Sequence, residues 1–137
     1  MSVAIARSMY EALARGDVPA ALQLMDPAIE WNEAEHFPYA DRNPYIGPQA
    51  VLEGVFLRLA GEWDGFAAIP DEILDAGNSV VALGRYRATC KATTIPVNAQ
   101  FVHVFRIRDG KIVRFQQYTD TAQFRDAMTS GHTAVQA

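Results

Sequence analysis

Residues 96–124 read PVNAQFVHVFRIRDGKIVRFQQYTDTAQF, and the fold turns on how this stretch is read. Phe101, His103 and Phe105 fall on one side of a two-residue repeat and Val102 and Val104 on the other, the period of a β-strand. Asp109-Gly110 interrupts the repeat as a hairpin turn, and alternation resumes from Lys111 to Thr119, with Gln117 on the face of Phe115 and Thr119. A G1-type turn here would set Phe115 opposite His103. From Thr119 to Met128 the apolar residues Ala122, Phe124 and Ala127, behind an Asp suited to capping, predict a short closing helix.

Two more strands are predicted upstream, Phe66 to Leu74 and Val80 to Thr89, joined through Ala76-Gly77-Asn78 into an antiparallel meander. Before Phe66 three helices are read around one early strand. Ile5, Met9, Ala12 and Leu13 mark a first helix that stops near Gly16, Asp17 caps a short second one with Pro19 in its first turn, and Asp26-Pro27 breaks it. Ala28 to Trp31 alternates as an early strand, Glu33 to Pro48 is an irregular loop, and Gly47-Pro48 opens a third helix. In that helix Val51, Leu52, Val55, Phe56 and Leu59 form one apolar face that should cover a sheet. Strands that follow helices, without βαβ alternation, predict an α+β fold whose curved, mainly antiparallel sheet wraps three N-terminal helices.

The chain has 137 residues, half of them hydrophobic, enough for one core and too few for two. The expected division is a single domain over residues 1–128 and a small, polar, flexible tail over 129–137. Cys90 stands alone, which excludes an internal disulfide and suits a reducing compartment, so the expected location is the cytoplasm. No export signal is read at the N-terminus, and no run approaches the roughly 20 apolar residues of a membrane helix. A net charge of -4, with 12 Lys and Arg spread along the chain, argues against nucleic acid as a partner.

The pieces ALARGD (12–17), YIGPQAV (45–51), GRYRAT (84–89) and HVFRIRDGKIVRFQQYTDTAQF (103–124) resemble the nuclear-transport-factor-2-like (NTF2-like) superfamily, near its SnoaL-like and ketosteroid-isomerase-related branch. The similarity covers almost the whole chain. It implies a cone-shaped, cystatin-like roll with one hydrophobic pocket between helices and sheet, and a homodimer formed through the convex sheet face. Val102, Val104 and Ile112 are read onto that outer face. Superfamily members include isomerases, polyketide cyclases, epoxide hydrolases, dehydratases and transport factors, so the resemblance fixes the fold more tightly than the activity.

The candidate catalytic residues are His103, Asp120 and Glu33. An apolar strand face holds His103 near neutral and leaves a ring nitrogen for a ligand, at the place where ketosteroid isomerases carry an oxyanion-stabilising acid. Asp120 matches an acid that moves a proton in SnoaL-like cyclases, although Asp before Thr-Ala-Gln-Phe also reads as a helix cap. Trp31 occupies the place of the isomerase base, and an indole cannot abstract a proton; it offers a platform for a flat ligand instead. Glu33, Glu35 and His36, in the loop after it, could replace the absent base if they face the pocket, whereas loop carboxylates are mostly solvated.

Tyr45, Tyr86, Phe101, Phe115 and Gln117 complete the expected ligand-binding set. Gln117 stands where limonene-epoxide-hydrolase relatives carry an Asp, so that triad is broken whether or not Arg85 and Arg87 point inward; a one-residue slip would turn Tyr86 inward instead. No residue set has the spacing of a known metal site, and neither a metal nor a cofactor is expected. Two readings follow: a cofactor-independent proton-transfer enzyme of isomerase, cyclase or dehydratase type on an apolar carbonyl compound, or a non-catalytic module that binds a small apolar or aromatic ligand or dimerises without turnover.

Overall fold

Ala6, Met9, Tyr10 and Ala12 make one buried stripe along α1 (Ser2–Ala14), which Gly16 ends with a positive φ of 76°. In this computed structural model the backbone is described for residues 2–136 and side chains for residues 2–129. Asp17 accepts a hydrogen bond from Ala20 N–H and so caps α2 (Val18–Gln23), as its position predicts. The first strand is longer than the alternation suggests, β1 (Met25–Asn32), with Asp26-Pro27 inside its first half.

The loop after β1 holds a single 3₁₀ turn (Ala40–Arg42) and a two-residue strand, β2 (Tyr45–Ile46), paired antiparallel to β1. Pro48 then opens α3 (Pro48–Val51), which continues through a π turn (Leu52–Phe56) into α4 (Leu57–Glu62), together the expected third helix. The π turn lies against Tyr45. The Tyr45 hydroxyl donates to Tyr39 O at 2.5 Å, and a Cβ on Gly54 would clash with Cε1 of its ring, so glycine is the residue that fits without displacing it.

Four long strands complete the sheet: β3 (Trp63–Ala76), β4 (Ser79–Cys90), β5 (Pro96–Arg108) and β6 (Lys111–Thr119). The order is β2-β1-β6-β5-β4-β3, antiparallel throughout except where β1 lies parallel to β6. The sheet is curved and does not close. β3 carries register breaks between Asp64 and Ala67 and between Pro70 and Glu72; bulges bend an edge strand, and an edge tolerates Pro70. The helices pack inside the curve, α1 against β3 and β4 and α4 against β3. The last helix, α5 (Thr121–Gln136), runs beyond the expected Met128; the tail expected over 129–137 falls, from residue 130, outside the residues whose side chains are described. Among the described residues no helix is long and apolar enough to cross a membrane.

Two register expectations are corrected, and the register of β4, left open by the sequence, is fixed. Asp109 and Gly110 both have positive φ and form a two-residue turn, and β6 then slips between Ile112 and Arg114. The slip places Gln117, not Phe115, opposite His103, and Phe115 opposite Phe105. The same bulge lets Ile112 and Phe115, three residues apart, both point inward, so Ile112 belongs to the core and not to the outer face. In β4 it is Tyr86 that points inward, while Arg85 and Arg87 face solvent and Arg85 Nε donates to Asn98 at 2.8 Å.

Gly54→Ala is expected to cost about 1–3 kcal/mol of folding stability in urea denaturation, the usual range for overpacking a filled core. Stability equal to the parent would show that the Tyr45 ring is free to move away.

Candidate functional site

Bending the sheet over α1 and α4 leaves a hollow of about 570 Å³ between them. Met9, Tyr10 and Leu13 of α1 form one wall, Val55, Phe56 and Leu59 a second, and Trp31, Tyr86, His103, Phe115 and Gln117 the sheet floor. Trp63, Phe66 and the start of β3 border it on the fourth side, with Asp64 and Lys91 nearby. The lining is mostly apolar and aromatic, with a few polar groups among it, the usual composition of a small-molecule site.

Trp31 lies flat on Phe115, ring centroids 3.7 Å apart, and meets Phe56 edge-on. Its Nε1–H donates to Glu33 Oε2 at 3.2 Å. The two-residue repeat of β1 continues past Asn32, so Glu33 follows Trp31 onto the inner face. Asn43 then clamps the Glu33 main chain on both sides, accepting from its N–H at 2.9 Å and donating to its C=O at 2.8 Å. Only 3% of Glu33 is exposed. Burial raises its pKa to about 8, and the Trp31 hydrogen bond and the Arg58 charge pull it back only in part.

His103 stacks on Phe101 with centroids 4.0 Å apart, and neither ring nitrogen is left for a ligand. Nδ1 lies 2.6 Å from the Tyr10 hydroxyl and Nε2 lies 2.5 Å from that of Tyr86. Gln117 Nε2 donates to the Tyr86 hydroxyl at 2.9 Å, and Gln117 Oε1 accepts from Ala34 N–H at 3.0 Å. Burial lowers the His103 pKa to about 3, so the ring is neutral at ordinary pH. Burial also pushes the Tyr10 and Tyr86 phenols upward.

Glu33, His103, Trp31, Tyr86, Phe115 and Gln117 therefore converge on one cavity. Glu35 and His36 do not, because His36 takes a left-handed turn (φ 70°) and both side chains are exposed, with His36 Nδ1 3.3 Å from Arg125. Asp120 borders a separate hollow beside Tyr118 and Thr119, where it accepts from Gln123. Tyr45 and Phe101 pack behind the cavity without lining it. Among the described residues no group of three His, Cys, Asp or Glu side chains could hold a metal ion. Tyr10 is the polar group that pattern reading passed over. One phenol on the buried stripe of an amphipathic helix looks like packing, and only its contact with His103 distinguishes it.

A family model described as a SnoaL-like domain matches residues 6–115. No curated protein matches the chain. Among solved structures it is similar to an NTF2-like protein from Burkholderia thailandensis E264, with 38% identity, 93% of this chain and 96% of that one covered, and a TM-score of 0.88. TerC co-crystallised with polyporic acid has the same fold at 23% identity, covering 92% and 96% of the two chains with a TM-score of 0.82. So does a hypothetical protein with a ketosteroid-isomerase-like fold from Catenulispora acidiphila DSM 44928, in complex with trimethylamine, at 16% identity, 87% of each chain and a TM-score of 0.74.

The two buried groups give opposite pH dependences. Glu33 rises from 4.5 to about 8 on folding, so its contribution is full below pH 4.5 and lost as pH climbs to 8. His103 falls from 6.5 to about 3, so its contribution is full above pH 6.5 and lost as pH drops to 3. Unfolding free energy should be level between these two ordinary values and decline on either side. Glu33→Gln should abolish the alkaline decline; persistence of that limb in urea titrations of the variant would assign it to another group.

Proposed function

This chain belongs to the SnoaL-like domain family, on the NTF2-like fold, and on that footing we propose that it is a cofactor-independent proton-transfer enzyme acting on an apolar carbonyl compound. One observation carries the reading: a carboxyl group poised near pH 8, Glu33, and a phenol, Tyr10, line the same aromatic cavity. With a ketone inside, the Glu33 carboxylate takes a proton from the carbon next to the carbonyl. The C–H electron pair becomes the C=C bond of an enolate, and the charge moves to the oxygen, where the Tyr10 hydroxyl hydrogen-bonds it. Glu33 then returns the proton to a different carbon or to the next partner in ring closure. The stacked Trp31 and Phe115 rings add apolar wall to the cavity in which the enolate forms.

This division of labour differs from the expected one. His103 acts through Tyr10 and does not touch the oxygen itself. Asp120 has no part, because it faces another hollow.

The test is hydrogen–deuterium exchange of a panel of apolar cyclic ketones in D₂O, read by proton NMR. The α-proton signal of at least one should decay with the protein present, and the rate should rise with pH as the carboxyl ionises around pH 8. Glu33→Gln should slow exchange about 10²- to 10⁴-fold, and Tyr10→Phe about 10²- to 10³-fold. Ketones that raise the melting temperature yet never exchange would instead support the carrier module.

We also propose that two copies pair through the outer sheet face. Register places Leu74 beside Val81, Val81 beside Val104, Leu83 beside Val102 and Val102 beside Tyr118. Leu74 and Tyr118 are 44% and 56% exposed at the ends of this patch, and an apolar sheet face of that extent needs cover. Sedimentation at micromolar concentration should give a dimer, and Val104→Asp a monomer; a monomeric parent protein would contradict the pairing.

A further inference from the structure

The hydrogen bonds around His103 form a single line, and the backbone sets its direction. Ala34 N–H can only donate, so the Gln117 atom facing it at 3.0 Å is the amide oxygen, and Gln117 Nε2 is thereby turned toward Tyr86. Nε2 can also only donate, and it does so to the Tyr86 hydroxyl oxygen at 2.9 Å. The Tyr86 proton must go elsewhere. Tyr86 is buried, and among the described residues its one other partner is His103 Nε2, 2.5 Å away. Nε2 therefore accepts, and a neutral imidazole then carries its proton on Nδ1. Nδ1–H donates to the Tyr10 oxygen at 2.6 Å, which leaves the Tyr10 proton with no acceptor among the described residues, on a side chain that lines the cavity. Running the line the other way would leave the Tyr86 hydroxyl, which already accepts from Gln117 and is the more fully enclosed of the two phenols, with no acceptor for its own proton among the described residues.

We propose that Gln117 and Tyr86 are positioning residues that, anchored by the Ala34 amide, lock His103 in its Nδ1–H tautomer and make Tyr10 a permanent donor into the cavity. The site then selects ligands whose buried end is an acceptor: a ketone, an enolate or a phenolate. That selection rests on the proton-transfer reading, whereas the tautomer does not depend on turnover.

The experiment is two-bond proton–nitrogen correlation NMR on protein labelled with ¹⁵N-histidine, with the His103 signals assigned by their loss in His103→Gln. The parent protein should show the Nδ1–H pattern, the minority form of free imidazole. In Gln117→Glu, followed from neutral to alkaline pH, the ionised carboxylate accepts from Tyr86 and the ring proton should move to Nε2. A parent protein in the Nε2–H form, or an Nδ1–H signal retained at every pH in Gln117→Glu, would overturn the assignment. The Nδ1–H pattern together with no exchanging ketone would uphold the direction of the line and remove the enzymatic reading alone.

Discussion

A histidine that water cannot reach must find a partner for each ring nitrogen, and in this protein the two partners come from a helix and from the neighbouring strand. That requirement ties five segments together: α1 through Tyr10, β4 through Tyr86, β5 through His103, β6 through Gln117 and the loop after β1 through Ala34. Gln117 and Tyr86 meet across β5 from the strands on either side of it, and Tyr10 joins α1 to the same strand. Truncating one of them leaves a polar atom stranded in the core, which costs more than the bond itself contributes. The curved sheet and α1 are thus held at a fixed spacing, and the cavity is what remains between them.

The same dryness makes the site chemical. Rings of Phe101, Phe105, Phe115, Trp31 and the two tyrosines surround His103 and Glu33, so both titratable groups favour their neutral forms. For His103 neutrality is structural, since a charged ring would need two acceptors and the line supplies one. For Glu33 it sets the working pH. The carboxyl ionises around pH 8, and the carboxylate then formed is a stronger base than a solvated glutamate.

Much of the fold was legible because local pattern and tertiary role agreed. The two-residue repeat from Phe66 onward, the Asp109-Gly110 turn and the Asp17 cap each predict an element that the structure contains. What escaped depends on contacts distant in sequence. β2 is two residues long and exists only because Tyr45 and Ile46 meet β1; the π turn is stabilised by Tyr45 against Gly54. A bulge in β6 moves every later residue by one partner, and nothing between Lys111 and Thr119 announces it.

The site divides the same way. Trp31, His103, Phe115 and Gln117 could be found from alternation alone, and Glu33 is separated from Glu35 only by the strand's period running one step past its end. Tyr86 was expected in the site although its register between two arginines was open, whereas Tyr10 lies within a helix that reads as ordinary packing. The proposed acid–base chemistry depends on the dry, aromatic setting of Glu33. Carbon NMR titration of the Glu33 carboxyl, assigned with Glu33→Gln, measures that setting directly. A midpoint near 8 is the predicted result, and a midpoint near the ordinary 4.5 would mean that water reaches the group and that the proposed acid–base chemistry has no seat in this cavity.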